Sequence, residues 1–412
     1  MARTTFLVSA LAVAALACSR NEPAPLLAAP PPTTVAAAPA QSPAPEGQDF
    51  GEEARLLYRV VACQGDGAVP APLDTAVVKE HCAALERLMA RYRKTYVDEA
   101  RSFIARLRPA GLPTTVVYPF GGGDLISALT TYPDATEITT LSLEQAGDPR
   151  RIRALDKKRL AESLQLIRRT IAPLLALNDS TSENLMKGQR GDIPGQVAFF
   201  LVALAVHGYE PVSLRYFHIQ PDGSLHYLSA QEIAAEEKAG PKRLKATWKP
   251  PDFAAAFADM ELSFRPRGAR ADAPARIHRH IGANLADSAL RKDPGLLRYL
   301  ESRGRISAMT KAASYLLWRD DFKLMRSYLL DHMEFMVSDS TGIPPGLAVP
   351  AGFVLESYGR FSGSFLGANA TYNEEFRRLF KSQAFRPLPF RYGYLDAGKR
   401  YHMIVARKRH PE

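Results

Sequence analysis

Several small groups of residues carry side chains that could do chemistry. Phe120-Gly121-Gly122-Gly123-Asp124 closes an apolar run. Three glycines let a backbone turn sharply and approach a ligand, and the aspartate after them could bond a hydroxyl or act as a base. The same residue types also make a tight strand-to-helix turn with Asp124 as the helix N-cap. Glu144 ends a second apolar run about 20 residues on, where an acid can hold ribose hydroxyls or simply finish a strand in solvent. Ser338-Asp339-Ser340-Thr341-Gly342-Ile343-Pro344 is a polar loop after a third apolar run, able to hold a ligand or a cation. Asx turns alone would also explain its composition. His278 and His280 alternate on one face of a strand and could share a metal, but no third ligand stands nearby. A solvated basic strand is the plainer reading. Lys311 and Ser314 lie three apart on a helix face, in the order of a Ser–Lys nucleophile; an ordinary amphipathic helix with Tyr315 packed inward is the plainer reading. The chain carries no G-x-S-x-G elbow, no H-E-x-x-H and no P-loop.

The elements that must position these groups follow from periodicity. Val116–Asp148 predicts strand, glycine-rich turn, short helix and strand, the opening of a Rossmann-like α/β domain. A helix N-terminus after the glycines would favour anionic groups. Ahead of it, Ala54–Ala62 suits a helix or a short strand. Thr75–Leu107 places Val78, Cys82, Leu85, Met89, Tyr92, Tyr96 and Ile104 on one side. That is one long helix or two shorter ones, stopped by Pro109 and Gly111, forming a helical cap before the sheet.

Behind the glycine turn, Arg151–Leu177 is an amphipathic helix, and Gly195–Tyr209 is so apolar that it belongs deep in the core. Strands are expected at Pro211–Gln220, Leu225–Ser229, Met260–Phe264 and Ile277–Asn284, with Gln231–Pro251 an irregular charged excursion. Then come helices from Asp293-Pro294 to Ser302, Ser307–Leu317 and Phe322–Asp331. Strands Glu334–Val337 and Phe353–Tyr358, a helix Asn373–Phe380 and a closing hairpin, Phe390–Leu395 with Tyr401–Arg407, complete the chain.

The N-terminus indicates an address. Arg3 precedes an uncharged run from Thr4 to Ala17, and Cys18 follows. A positive start, a short apolar core and a small residue before the cut describe a signal peptide, not a membrane span. Ala15-Leu16-Ala17-Cys18 resembles the lipobox of bacterial lipoproteins, which implies lipidation at Cys18; Ser19 after it points to the outer membrane. Eight prolines among residues 19–47, with alanine filling much of the rest, make an extended linker that cannot bury a core. The expected organisation is signal peptide 1–17, lipidated cysteine and linker 18–47, helical region 48–111 and α/β domain 112–412. Cys63 and Cys82 can pair only with each other, and an oxidising compartment favours that disulfide. The net charge of +10 suits anionic envelope components. Nucleic acid is not expected, because the basic residues are scattered without interleaved aromatics.

The strand, glycine turn, helix, strand opening and the closing segment YHMIVARK resemble class I methyltransferases, in which S-adenosylmethionine lies over a D-x-G-x-G-x-G motif. Laid on Pro119–Leu125, Gly121 and Gly123 match, Pro119 replaces the acid and Leu125 the third glycine; Glu144 falls where the ribose ligand would be. The stretches YPFGGGD, YPDA, LSLEQAG, KAASYLL, SDSTGIP, YGRF and PFRYGY are similar to a group of uncharacterised exported bacterial proteins, over about Val116 to Ala406. These resemblances imply a Rossmann-like, methyltransferase-type mixed sheet flanked by helices. Three functions follow as expectations. The first is an envelope lipoprotein whose remodelled nucleotide-type cleft binds a ligand or partner, with Gly121, Gly122, Gly123, Asp124, Glu144 and Asp339 as candidate ligand-binding residues. The others are an S-adenosylmethionine-dependent enzyme and an envelope hydrolase using Asp124, Glu144 or Asp339.

Overall fold

The computed structural model describes residues 47–177, 195–240, 253–312, 316–364 and 369–410. The expected signal peptide, Cys18, nearly all of the linker and Ser314 lie outside the described residues. Among the described residues no helix is long and apolar enough to cross a membrane.

Ten strands form one mixed sheet, flanked by helices, in the order β4-β3-β5-β6-β2-β1-β7-β8-β10-β9. Its middle is parallel: β6 (Arg276–Gly282), β2 (Glu137–Ser142), β1 (Thr115–Pro119), β7 (Ile306–Met309) and β8 (Met333–Ser338). A parallel strand is covered on both faces, so its sequence is apolar without alternation. β1 reads TVVYP for this reason, with Val116 and Tyr118 in one core cluster and Val117 in the other. At one edge β5 (Asp259–Pro266), β3 (Tyr209–Ile219) and β4 (Leu225–Tyr227) run antiparallel in succession. At the other, β10 (His402–Lys408) lies antiparallel between β8 and β9 (Phe353–Gly359).

The larger core cluster is built by the helices of the first half: α1 (Gly51–Val60), α2 (Thr75–Tyr92), α3 (Asp98–Ala105), α4 (Leu125–Thr131), α5 (Lys157–Leu177) and α6 (Gly195–His207). The first three helices share the core of the sheet. Where one long helix or two shorter ones were expected over Thr75–Leu107, α2 continues through a π turn at Arg93–Val97 into α3 without a break. Cys63 and Cys82 form the expected disulfide, tying the loop after α1 to α2 with Cα atoms 5.2 Å apart. α6 is buried over Gly195–Val206, as its composition requires.

Three expectations need correction. The described first half of the expected helix Ser307–Leu317, residues 307–312, is not helical. Its first part is the buried strand β7, and short apolar runs do not distinguish a core strand from a core helix by periodicity. Residues 231–239 are not irregular: they belong to α7 (Ala230–Ala239), which starts at a capping box in which Ser229 and Glu232 satisfy each other's backbone N–H. The closing hairpin is not formed as expected, because Phe390–Leu395 is not a strand and β10 pairs with β8 and β9 instead. The second core cluster collects α8 (Asp287–Lys292), α9 (Gly295–Glu301) and α10 (Lys323–His332) on the opposite face.

Candidate functional site

Of the residues singled out in the sequence, Asp124, Lys311 and Asp339 gather at the carboxyl ends of β1, β7 and β8, where open α/β sheets bind their ligands. The turn after β1 is made possible by left-handed backbone at Phe120 (φ 60°) and Gly122 (φ 50°). Gly121 and Gly123 serve a different need. A Cβ on Gly121 would strike the Tyr118 ring, and one on Gly123 would strike the Gln196 amide and Phe199 of α6. Both glycines therefore admit the protein's own side chains to the turn.

Asp124 is nearly fully buried and has three roles. It caps α4 by accepting the Ser127 N–H at 3.2 Å, accepts the Tyr118 hydroxyl at 3.1 Å, and pairs with Lys311 at 2.6 Å. Lys311 also donates to Ser127 Oγ at 2.7 Å. Lys311 follows strand β7 and reaches across to α4, where an amphipathic helix was expected; Ser314 lies outside the described residues. Burial beside Asp124 holds the Tyr118 hydroxyl well above its ordinary pKa. A buried ion pair of this kind loses hydration on both sides, and it persists only with further hydrogen bonds such as those from Tyr118 and to Ser127.

Asp339 stands next to this group. Its Oδ2 accepts the backbone N–H of Ala312 and of Tyr394, both at 3.0 Å, and its Oδ1 accepts the N–H of Thr341 at 2.8 Å as well as the Thr341 hydroxyl. Consecutive residues, Lys311 and Ala312, thus hold the two aspartates. Asp339 pins the 338–344 loop to the segment after β7 and to the 390s loop, an Asx-type role. The Ser340 N–H donates to His402 Nε2 at 3.0 Å.

Glu144 lies apart, beyond the end of β2 toward β6. It is buried, its N–H donates to Ser142 Oγ at 3.3 Å, and its carbonyl faces His280 Nε2 at 2.8 Å. The solvated strand end expected for it is not what forms, because α6 docks there: Val197 N–H donates to the Ala146 carbonyl at 3.1 Å.

His278 and His280 do share one face, but that face is the core. Thr140 Oγ1 sits 3.0 Å from His278 Nε2 and 2.9 Å from His280 Nδ1, and the Phe200 ring packs on both. With His280 Nε2 donating to the Glu144 carbonyl, the Thr140 hydroxyl donates to His280 and accepts from His278, so both rings are neutral. Burial lowers the His280 pKa to about 4, and burial together with the neighbouring His280 ring holds that of His278 well below its ordinary value. Among the described residues no group of three or more His, Cys, Asp or Glu could hold a metal ion.

Sequence reasoning missed Ser127, Tyr118 and Gln196. Ser127 was detectable as the third residue after the N-cap Asp124; Gln196 was detectable as the lone polar residue opening an apolar helix. No family model, no curated protein and no solved structure matches the chain.

Proposed function

We propose that this chain is an exported bacterial lipoprotein, anchored at the outer membrane through Cys18, that binds a component of the cell envelope on a remodelled nucleotide-type fold. The frame we infer is Rossmann-like and of the methyltransferase type. In its support, β6-β2-β1-β7-β8 follows the doubly wound order 3-2-1-4-5, and the last strand, β10, inserts antiparallel between β8 and β9. The observation that carries the functional reading is the filled glycine turn. Tyr118, Gln196 and Phe199 occupy the faces a cofactor would need at Gly121 and Gly123, and Lys311 occupies Asp124. Pro119 and the buried Leu125 stand where the methyltransferase pattern has an acid and a glycine. These residues do not fit S-adenosylmethionine, and no step is derived through it. The net charge of +10 favours an anionic envelope partner.

Calorimetric titration of the full-length protein with S-adenosylmethionine and S-adenosylhomocysteine tests this reading. Saturable binding that disappears in Glu144→Ala would replace it with the methyltransferase-like alternative, which the strand order favours. Metabolic labelling with an alkyne fatty acid tests the anchor: label is expected on the wild type and absent from Cys18→Ala. The hydrolase alternative would require Asp124 or Asp339 to leave the partners that now hold them.

A further inference from the structure

A cavity of about 530 Å³ opens between the end of α2 with its π turn, the end of α5 and the 388–401 loop. That volume lies in the range of small-molecule sites. Part of its lining is aromatic: the Tyr92 and Tyr96 rings are 5.1 Å apart, and Phe390 meets Tyr96 edge-on at 5.7 Å. Leu175 and Leu388 extend this apolar wall. The lining also includes three arginines, Arg91, Arg391 and Arg400, and none of the described lining residues is acidic.

The three cations differ. Arg400 is held by Asp396 at 2.9 Å. Arg391 is fixed over the Tyr401 ring at 5.9 Å while donating to the Ala176 carbonyl at 3.1 Å. Arg91 is exposed at the rim. A guanidinium fork matches carboxylate or phosphate oxygens, and flat rings match a flat apolar body.

The same wall contains an irregular turn of helix. Arg93–Val97 forms a π turn, a rare insertion that tends to be kept where a site needs it. Tyr92 and Tyr96, four residues apart, share the face of this helix that lines the cavity. Tyr92 also hydrogen-bonds Ser127, so the cavity floor adjoins the Lys311–Asp124 pair.

We infer that this cavity binds a small organic anion, with a phosphate or carboxylate on Arg91 and Arg391 and an apolar body against Tyr92, Tyr96 and Phe390. The inference is independent of export and of how the glycine turn is read.

The test is calorimetric titration of the full-length protein with 1-naphthyl phosphate, alongside 1-naphthylmethanol and inorganic phosphate. One saturable site is expected for the aryl phosphate, with the neutral alcohol and the bare anion each much weaker. Arg91→Ala and Arg391→Ala should each weaken binding about tenfold or more, the loss of one charged hydrogen bond. Thr95→Trp, at an exposed lining position, should fill the cavity and abolish it. Dihexanoylphosphatidylglycerol serves as the lipid arm. Tighter binding than the aryl phosphate would assign the ligand to phospholipid, weaker binding to a soluble anion. Absence of saturable binding by either phosphate at millimolar concentration would overturn the inference. So would equal binding of the neutral alcohol, or binding undiminished in Thr95→Trp.

Discussion

His81 offers a direct test of how burial sets the acid stability of this fold. The ring is fully buried, with Nε2 2.8 Å from the Val61 carbonyl and Nδ1 2.9 Å from an Arg168 guanidinium nitrogen. Nε2 must therefore carry the proton and donate, while Nδ1 accepts from Arg168. Burial first, then the neighbouring Arg168 cation, lowers the pKa from 6.5 to about 4, partly offset by the Val61 carbonyl. The folded state holds the imidazole neutral, so the unfolded chain takes up the proton first. The stability contributed is full above the unfolded value and is lost as pH falls from 6.5 toward 4.

Near pH 5 almost every unfolded His81 is charged and few folded ones are, which costs about 2 kcal/mol. His81→Gln removes the titration but keeps an amide that can donate to Val61 and accept from Arg168. Urea unfolding followed by the fluorescence of the buried Trp318 should show the wild type losing about 2 kcal/mol more than the variant between neutral pH and about pH 5. The depressed carboxylates, such as those of Glu232 and Asp396, titrate below this window and do not confuse it. Identical pH slopes in the two proteins would refute the argument from burial.

Lys311→Met should cost about 3–5 kcal/mol by stranding Asp124, and Lys311→Met with Asp124→Asn should recover part of that, since asparagine still caps α4; urea midpoints measure both. Gly123→Ala should cost about 1–3 kcal/mol through contact with Gln196 and Phe199, and Gln196→Ala should relieve much of it in a double-mutant cycle. Additive effects would show that the turn does not pack against α6. Cys63→Ser with Cys82→Ser should lower stability by about 3 kcal/mol by freeing a loop with a sequence separation of 19, read as a lower thermal midpoint.

The opening of the sheet was legible because its signals are local. The apolar run at Val116, the glycines and the cap at Asp124 are contiguous, and each has its own physical reason to turn the chain. β7 was not legible, because Ile306–Met309 is too short and too uniformly apolar to show a period. α7 was obscured by its charge, although Ser229 and Glu232 stand at capping-box spacing. The end of the chain was misread because Phe390–Leu395 has strand composition, while β10 finds its partners 66 residues back at Ser338 and in β9.

For the candidate site, residue types alone placed Asp124 as a helix cap and Cys63 with Cys82 as a disulfide, since capping and pairing depend on neighbours in sequence or on elimination. Only the tertiary structure decided what surrounds them. Lys311 meets Asp124 because β7 lies beside β1; His278 and His280 face the core because α6 covers them; and Gly123 is spoken for because Gln196 reaches it from a helix 72 residues away. A sequence specifies each side chain's chemistry, but whether that chemistry meets water, a ligand or another side chain depends on which distant segment packs over it.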